Sequence, residues 1–168
     1  MRPAERLGTG RRRTNAIAGS VAAVLLAAEL PAAADERTWI SSADAGHVVA
    51  LYGTPASDDV VVGLDCAAAT RTLEISVATR PKNGRNGMRS DLRLASPGGS
   101  VAVAARGLLN EMDDSVVFGA TTRLDAALRS VLAAKGTLSV TVAGTTVEAP
   151  LAGSTAAMAA LTAACAAP

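Results

Sequence analysis

The sequence predicts an α+β domain: an antiparallel β-sheet or small β-sandwich with two helices toward the C-terminus. Three observations carry this. Apolar and polar residues alternate with period 2 through most of the chain after residue 46. Gly, Asn and Pro punctuate those runs. A 3.6-residue apolar stripe appears only from Leu124 onward. Segregated strands and helices argue for α+β rather than an alternating α/β fold.

The elements follow in order. His47 to Tyr52 is an apolar run ended by Gly53 and Pro55. Val60 to Cys66 is β-branched. Thr72 to Val77 places Leu73, Ile75 and Val77 on one face, the mark of a half-buried strand. Ala68 to Arg71 is short enough for a hairpin. Pro81 to Gly87 holds two Asn-Gly pairs, which supply positive-φ turn residues. From Met88 to Ala95, Met88, Leu92 and Leu94 face one way and Arg89, Asp91 and Arg93 the other. Pro97-Gly98-Gly99 turns the chain. Val101, Val103 and Ala105 carry a strand that extends toward Leu109, and Val116 to Phe118 continue the sheet.

Leu124, Leu128, Val131 and Leu132 then mark a helix, with Thr122 as the expected N-cap, Asp125 in the first turn and Gly136 closing the end. Leu138 to Val142 and Val147 to Leu151 form a second pair of strands around Ala143-Gly144. In the last helix Met158, Leu161 and Cys165 share a face.

The N-terminus predicts export. Arg2, Arg6 and Arg11-Arg12-Arg13 precede an apolar run from Ala16 to Ala28, and Ala32-Ala33-Ala34 follows Pro31. A basic head, a short apolar middle and a small-residue exit describe a signal peptide over residues 1–34. Glu29 cuts the apolar run well short of the ~20 residues a spanning helix needs, so cleavage is favoured over a retained anchor. The triple Arg leaves general-secretion and twin-arginine export both open. A single globular domain, residues 35–168, is expected in the periplasm or secreted, with no stable membrane insertion after cleavage.

Five of the 16 basic and two of the 15 acidic residues lie within residues 1–34, leaving 11 against 13, a net charge of −2. Such a domain is poorly suited to nucleic acid, whose non-specific affinity comes from phosphate neutralisation. Lys82 and Lys135 are the only lysines. That Arg bias, with the abundance of Ala, points to a GC-rich bacterial genome.

The two cysteines, Cys66 and Cys165, read as one disulfide in an exported chain; two buried free thiols are the alternative.

Motifs of catalysis are scarce. No nucleophile elbow, P-loop, Cys-x-x-Cys or His-Glu-x-x-His occurs. The one histidine, His47, heads an apolar strand with no linked nucleophile, so it is expected to be dispensable. Asp58-Asp59 and Asp113-Asp114 read as turns rather than calcium or glycosidase carboxylates. No metal or cofactor is expected. Three aromatics, Trp39, Tyr52 and Phe118, are few for a sugar-binding platform. Trp39 is expected to staple the N-terminal end onto the sheet. Arg80, Lys82, Arg85, Arg89 and Arg93 form the basic cluster of the mature domain. Arg85, Arg89 and Arg93 are the candidate partner surface; a solvated face is the alternative.

Several motifs also suggest kinship: Trp39, Tyr52-Gly53-x-Pro55 with Ser57-Asp58-Asp59, Cys66, and Ala149-Pro150-Leu151-x-Gly153-Ser154 leading to Cys165. Together they resemble small uncharacterised proteobacterial periplasmic proteins. The tail is similar to those of type VI secretion TagO-like and invasion-associated locus B proteins. The resemblance covers scattered parts of the domain. It implies a periplasmic, non-enzymatic role and carries no functional residues across. The expected function is an accessory or binding protein without catalytic activity, with a protein partner in the cell envelope. The alternatives are an inhibitor of an exported hydrolase such as lysozyme and, behind it, a small hydrolase.

Overall fold

A computed structural model describes residues 36–165. The expected signal peptide and the mature start at Asp35 lie outside the described residues. The elements run β1 (Thr38–Asp44), β2 (His47–Gly53), β3 (Val60–Ala67), β4 (Thr72–Thr79), β5 (Arg89–Ser96), β6 (Gly99–Asn110), β7 (Ser115–Thr122), α1 (Ala126–Leu132), β8 (Thr137–Val142), β9 (Thr145–Pro150) and α2 (Thr155–Cys165). All nine of these strands join one sheet, ordered β1-β2-β3-β4-β7-β6-β5-β8-β9. The α+β expectation holds, as a single curved half-barrel sheet with two helices.

Every neighbouring pair is antiparallel. With nine strands, the two edge strands β1 and β9 therefore run in the same direction. The loop after β4 skips past β7 and β6 to reach β5, and the β5–β6–β7 meander returns beside β4. This is a Greek-key connection. It explains the Asn-Gly-rich stretch: Asn83 and Gly87 take positive φ in a crossing loop, not in a two-residue hairpin.

Alternation along the strands sends one set of side chains to a common core. Trp39, Tyr52, Val62, Val77 and Phe118 lie opposite one another across five strands and are all buried. Fully burying a side chain such as Phe118 contributes roughly 1.5–3 kcal/mol. The row ends at Gly107, opposite Phe118. A Cβ there would stand 2.6 Å from Val116 Cγ1 and 3.1 Å from Phe118 Cε1, so the phenyl ring occupies the space glycine leaves.

The first strand departs from the sequence reading, which began the sheet at His47. Ser41 to Asp44 are exposed on the sheet edge, so β1 carries no apolar alternation beyond Trp39. Its strand character comes from pairing with β2 through the two-residue Ala45-Gly46 turn, both residues at positive φ. Trp39 does fasten this end, but across the sheet: its Nε1 donates to the Pro150 carbonyl of β9 at 2.7 Å.

The α1 cap is also a correction. Thr122 ends β7, and Asp125 caps the helix, its Oδ1 accepting from the Leu128 N–H at 2.8 Å. Arg123 and Leu124 separate strand from helix, so the helix starts later than its apolar stripe. Leu128, Val131 and Leu132 of α1 are buried. The helix docks on the β5–β6 turn, where the Ser96 hydroxyl donates to the Val131 carbonyl at 2.7 Å.

Helix α2 buries Ala157, Met158, Leu161 and Cys165. Cys165 is bonded to Cys66 of β3, with Cα atoms 5.8 Å apart and a sequence separation of 99. The bridge pins the last helix to an early strand. A disulfide fits a compartment more oxidising than the cytosol. Among the described residues no helix is long and apolar enough to cross a membrane.

Candidate functional site

The face of the sheet opposite the core carries polar side chains and the half-buried Ile40, Val49 and Leu51, with one exception at the β6–β7 end, where large apolar side chains stand exposed. Strand period forces this exception. In β7, Val116 and Phe118 point into the core, so Val117 points out. In β6, Gly107 faces the core, which leaves Leu108 outward. Leu108 lies opposite Val117, and Val117 opposite Ala78 of β4, so the three form one row. The β6–β7 turn then presents Met112. Leu108 is 65% exposed, Met112 95% and Val117 36%; they are the exposed large apolar side chains among the described residues. They gather at one hairpin rather than scattering.

Beside this hairpin lies a cleft of about 850 Å³ at the strand ends, lined by Arg37, Asp59, Thr79, Arg80, Met112 and Asp113 among others. Two ion pairs stand in it. Arg37 Nε meets Asp59 Oδ2 at 3.1 Å, and Arg80 Nη2 meets Asp113 Oδ2 at 2.9 Å. The Arg37 hydrogen bond, helped by the Thr54 hydroxyl, holds the Asp59 carboxyl below its ordinary range. The Ser115 hydroxyl and backbone N–H, with Arg80 behind them, do the same for Asp113. Both carboxylates are thus ionised and engaged at neutral pH, and neither is poised to give up a proton there. Thr79, also in the cleft, is buried, and its Oγ1 has no hydrogen-bond partner among the described residues.

The acidic pairs the sequence assigned to turns do sit in turns. Asp59 and Asp113 stabilise those turns through Thr54 and Ser115. Among the described residues no group of three or more His, Cys, Asp or Glu side chains is arranged to hold a metal. His47 is not alone: its Nδ1 lies 2.9 Å from Asp65 Oδ1 on the neighbouring strand. That partner is set by register, which the sequence does not display. The pair is exposed, and among the described residues no hydroxyl or thiol hydrogen-bonds the ring.

The predicted basic surface is dispersed. Arg85 stays in the crossing loop, while Arg89 and Arg93 point outward from β5, about 13 Å apart at the strand rise of 3.3–3.4 Å per residue. Arg93 donates to the Ser100 hydroxyl at 3.3 Å, and Arg80 belongs to Asp113. The neighbour of Arg89 is Arg106, directly opposite on β6. The alternation of Val101, Val103 and Ala105 marks Arg106 as outward-facing, but only register reveals what it stands beside. The same alternation marks Leu108 as outward-facing, but only the fold shows that Val117 and Met112 gather beside it. No family model, no curated protein and no solved structure matches the chain.

Proposed function

We propose that the chain is an exported accessory or binding protein of the periplasm or cell exterior, without catalytic activity. Its protein partner in the cell envelope is held at the β6–β7 hairpin. The clustering of Leu108, Met112 and Val117 on one exposed hairpin carries this reading. Apolar side chains gathered outside the core mark interaction surfaces, and Met is enriched in them. The Arg80–Asp113 pair supplies a polar rim. Glu111, Asp113 and Asp114 surround Met112 in the sequence. That acidic setting disfavours an anionic bilayer and favours a protein.

The same acidic tip supports the second reading, inhibition of an exported hydrolase such as lysozyme: a protruding carboxylate-bearing turn suits the cleft of a basic enzyme. Affinity capture from periplasm, run beside a lysozyme activity assay, separates the two. A retained envelope protein with undiminished lysozyme activity supports the first. Stoichiometric loss of hydrolase activity supports the second. His47→Ala is expected to leave either function intact.

A further inference from the structure

The outer face carries a second feature, away from the apolar tip. Arg89 and Arg106 stand directly opposite each other on β5 and β6. Both are exposed, and neither has an ion-pair or hydrogen-bond partner for its side chain among the described residues. Like charges directly opposite in an antiparallel pair oppose sheet formation. The next residue in this transverse row is Gly119, opposite Arg106. A Cβ at Gly119 would approach only Glu74 Oε1, at 3.8 Å, so the space beside the Arg106 side chain is open. Arg89, Asp91, Ala104, Arg106, Gly119 and Thr121 line a shallow hollow of about 740 Å³ there.

From this arrangement we infer that Arg89 and Arg106 form a clamp for a single phosphate-type oxyanion. The proposal is independent of the partner surface at the hairpin. Two guanidinium forks rising from adjacent strands can share one tetrahedral anion, each meeting a different pair of its oxygens. A lone carboxylate has two coplanar oxygens, so a second fork would have to share the pair that the first already meets. The bound anion would also neutralise the repulsion that the bare pair imposes on the sheet. Asp91, two residues along β5, and Glu74 beside Gly119 bound the hollow with negative charge. They restrict it to an isolated phosphate group and reject a polyanion such as nucleic acid. The group can come from a soluble phosphate monoester or from a lipid whose headgroup is itself a phosphomonoester, such as phosphatidic acid.

The test is an NMR titration of the exported protein with inorganic phosphate, following the arginine Nε–Hε resonances at constant ionic strength. Those of Arg89 and Arg106 should shift together and saturate, while those of Arg123 and Arg129 stay fixed. Arg106→Ala should abolish the saturable shift of Arg89. Arg106→Lys should weaken binding about fivefold or more, since an ammonium cannot fork. Both substitutions are at an exposed position, and the melting temperature of each variant should be no lower than the parent's. Co-sedimentation with phosphatidylcholine vesicles that contain phosphatidic acid, but not with phosphatidylcholine alone, lost in Arg106→Ala, assigns the lipid source. Phosphate binding without co-sedimentation assigns the soluble one. Shifts that never saturate, that persist in Arg106→Ala, or that spread equally over all exposed arginines overturn the clamp.

Discussion

Trp39 of the first strand and Pro150 of the last are joined by a hydrogen bond 2.7 Å long, across 111 residues of sequence. The bond is part-buried, and the indole also stacks at a tilt against Tyr52, with ring centroids 5.5 Å apart. Trp39 therefore ties together two sheet edges that do not exchange a strand ladder. Trp39→Phe keeps most of the buried ring but strands the Pro150 carbonyl. It should cost about 1–2 kcal/mol in chemical denaturation. Trp39→Ala should cost about 3–5 kcal/mol. A Trp39→Phe protein as stable as the parent would show that the bond contributes nothing beyond ring burial.

Reduction of the Cys66–Cys165 bridge should lower stability by roughly 2–5 kcal/mol. The loop it closes is long, so its release enlarges the unfolded ensemble most. Helix α2 should then exchange its amides before the central strands do. Hydrogen exchange of the reduced and oxidised protein checks this. Simultaneous exchange of α2 and β3 would contradict it.

Asp59 and Asp113 titrate below the ordinary 3.8 of a carboxyl in the folded chain. A depressed folded pKa means that the unfolded chain takes up protons first. The stabilisation is thus fully present above the unfolded value and is lost as pH falls through the folded one. The melting temperature should hold from neutrality to about pH 4 and decline below it. Asp59→Asn and Asp113→Asn should each flatten that decline. Unchanged acid limbs in both variants would remove these turns from the acid response.

The buried Thr79 hydroxyl, unpaired among the described residues, costs desolvation without return. Thr79→Val replaces it with a methyl of the same shape. It should raise stability by about 1 kcal/mol, measured by urea denaturation. A loss would mean that the hydroxyl is satisfied in solution.

How far the sequence displayed this fold depends on where each signal resides. Strand β4 shows itself because Leu73, Ile75 and Val77 alternate toward a buried face, and β3 because Val60 to Val62 are β-branched. The bridge is legible because a chain with two cysteines has one intramolecular pairing, and the expectation of export favours the bond over free thiols. Strand β1 was hidden because an edge strand needs no apolar alternation. Thr122 and Asp125 both suit an N-cap chemically; the choice rests on where β7 lets go of the chain. Asp125→Ala should therefore cost about 1 kcal/mol, while Thr122→Ala should leave α1 intact. The surface was the least legible part. Arg89–Arg106, His47–Asp65 and Leu108–Val117 are all cross-strand neighbours, and a linear pattern gives a residue's face but not its register.

The most direct test of the binding account places a photo-crosslinking amino acid at Met112 in the exporting cell, with exposed Ala127 on α1 as the control site. The account predicts a discrete adduct with one envelope protein from position 112, none from position 127, and its loss when Leu108→Ser is added. Absence of an adduct at position 112, or the same adducts from both positions, would contradict a partner surface on the β6–β7 hairpin.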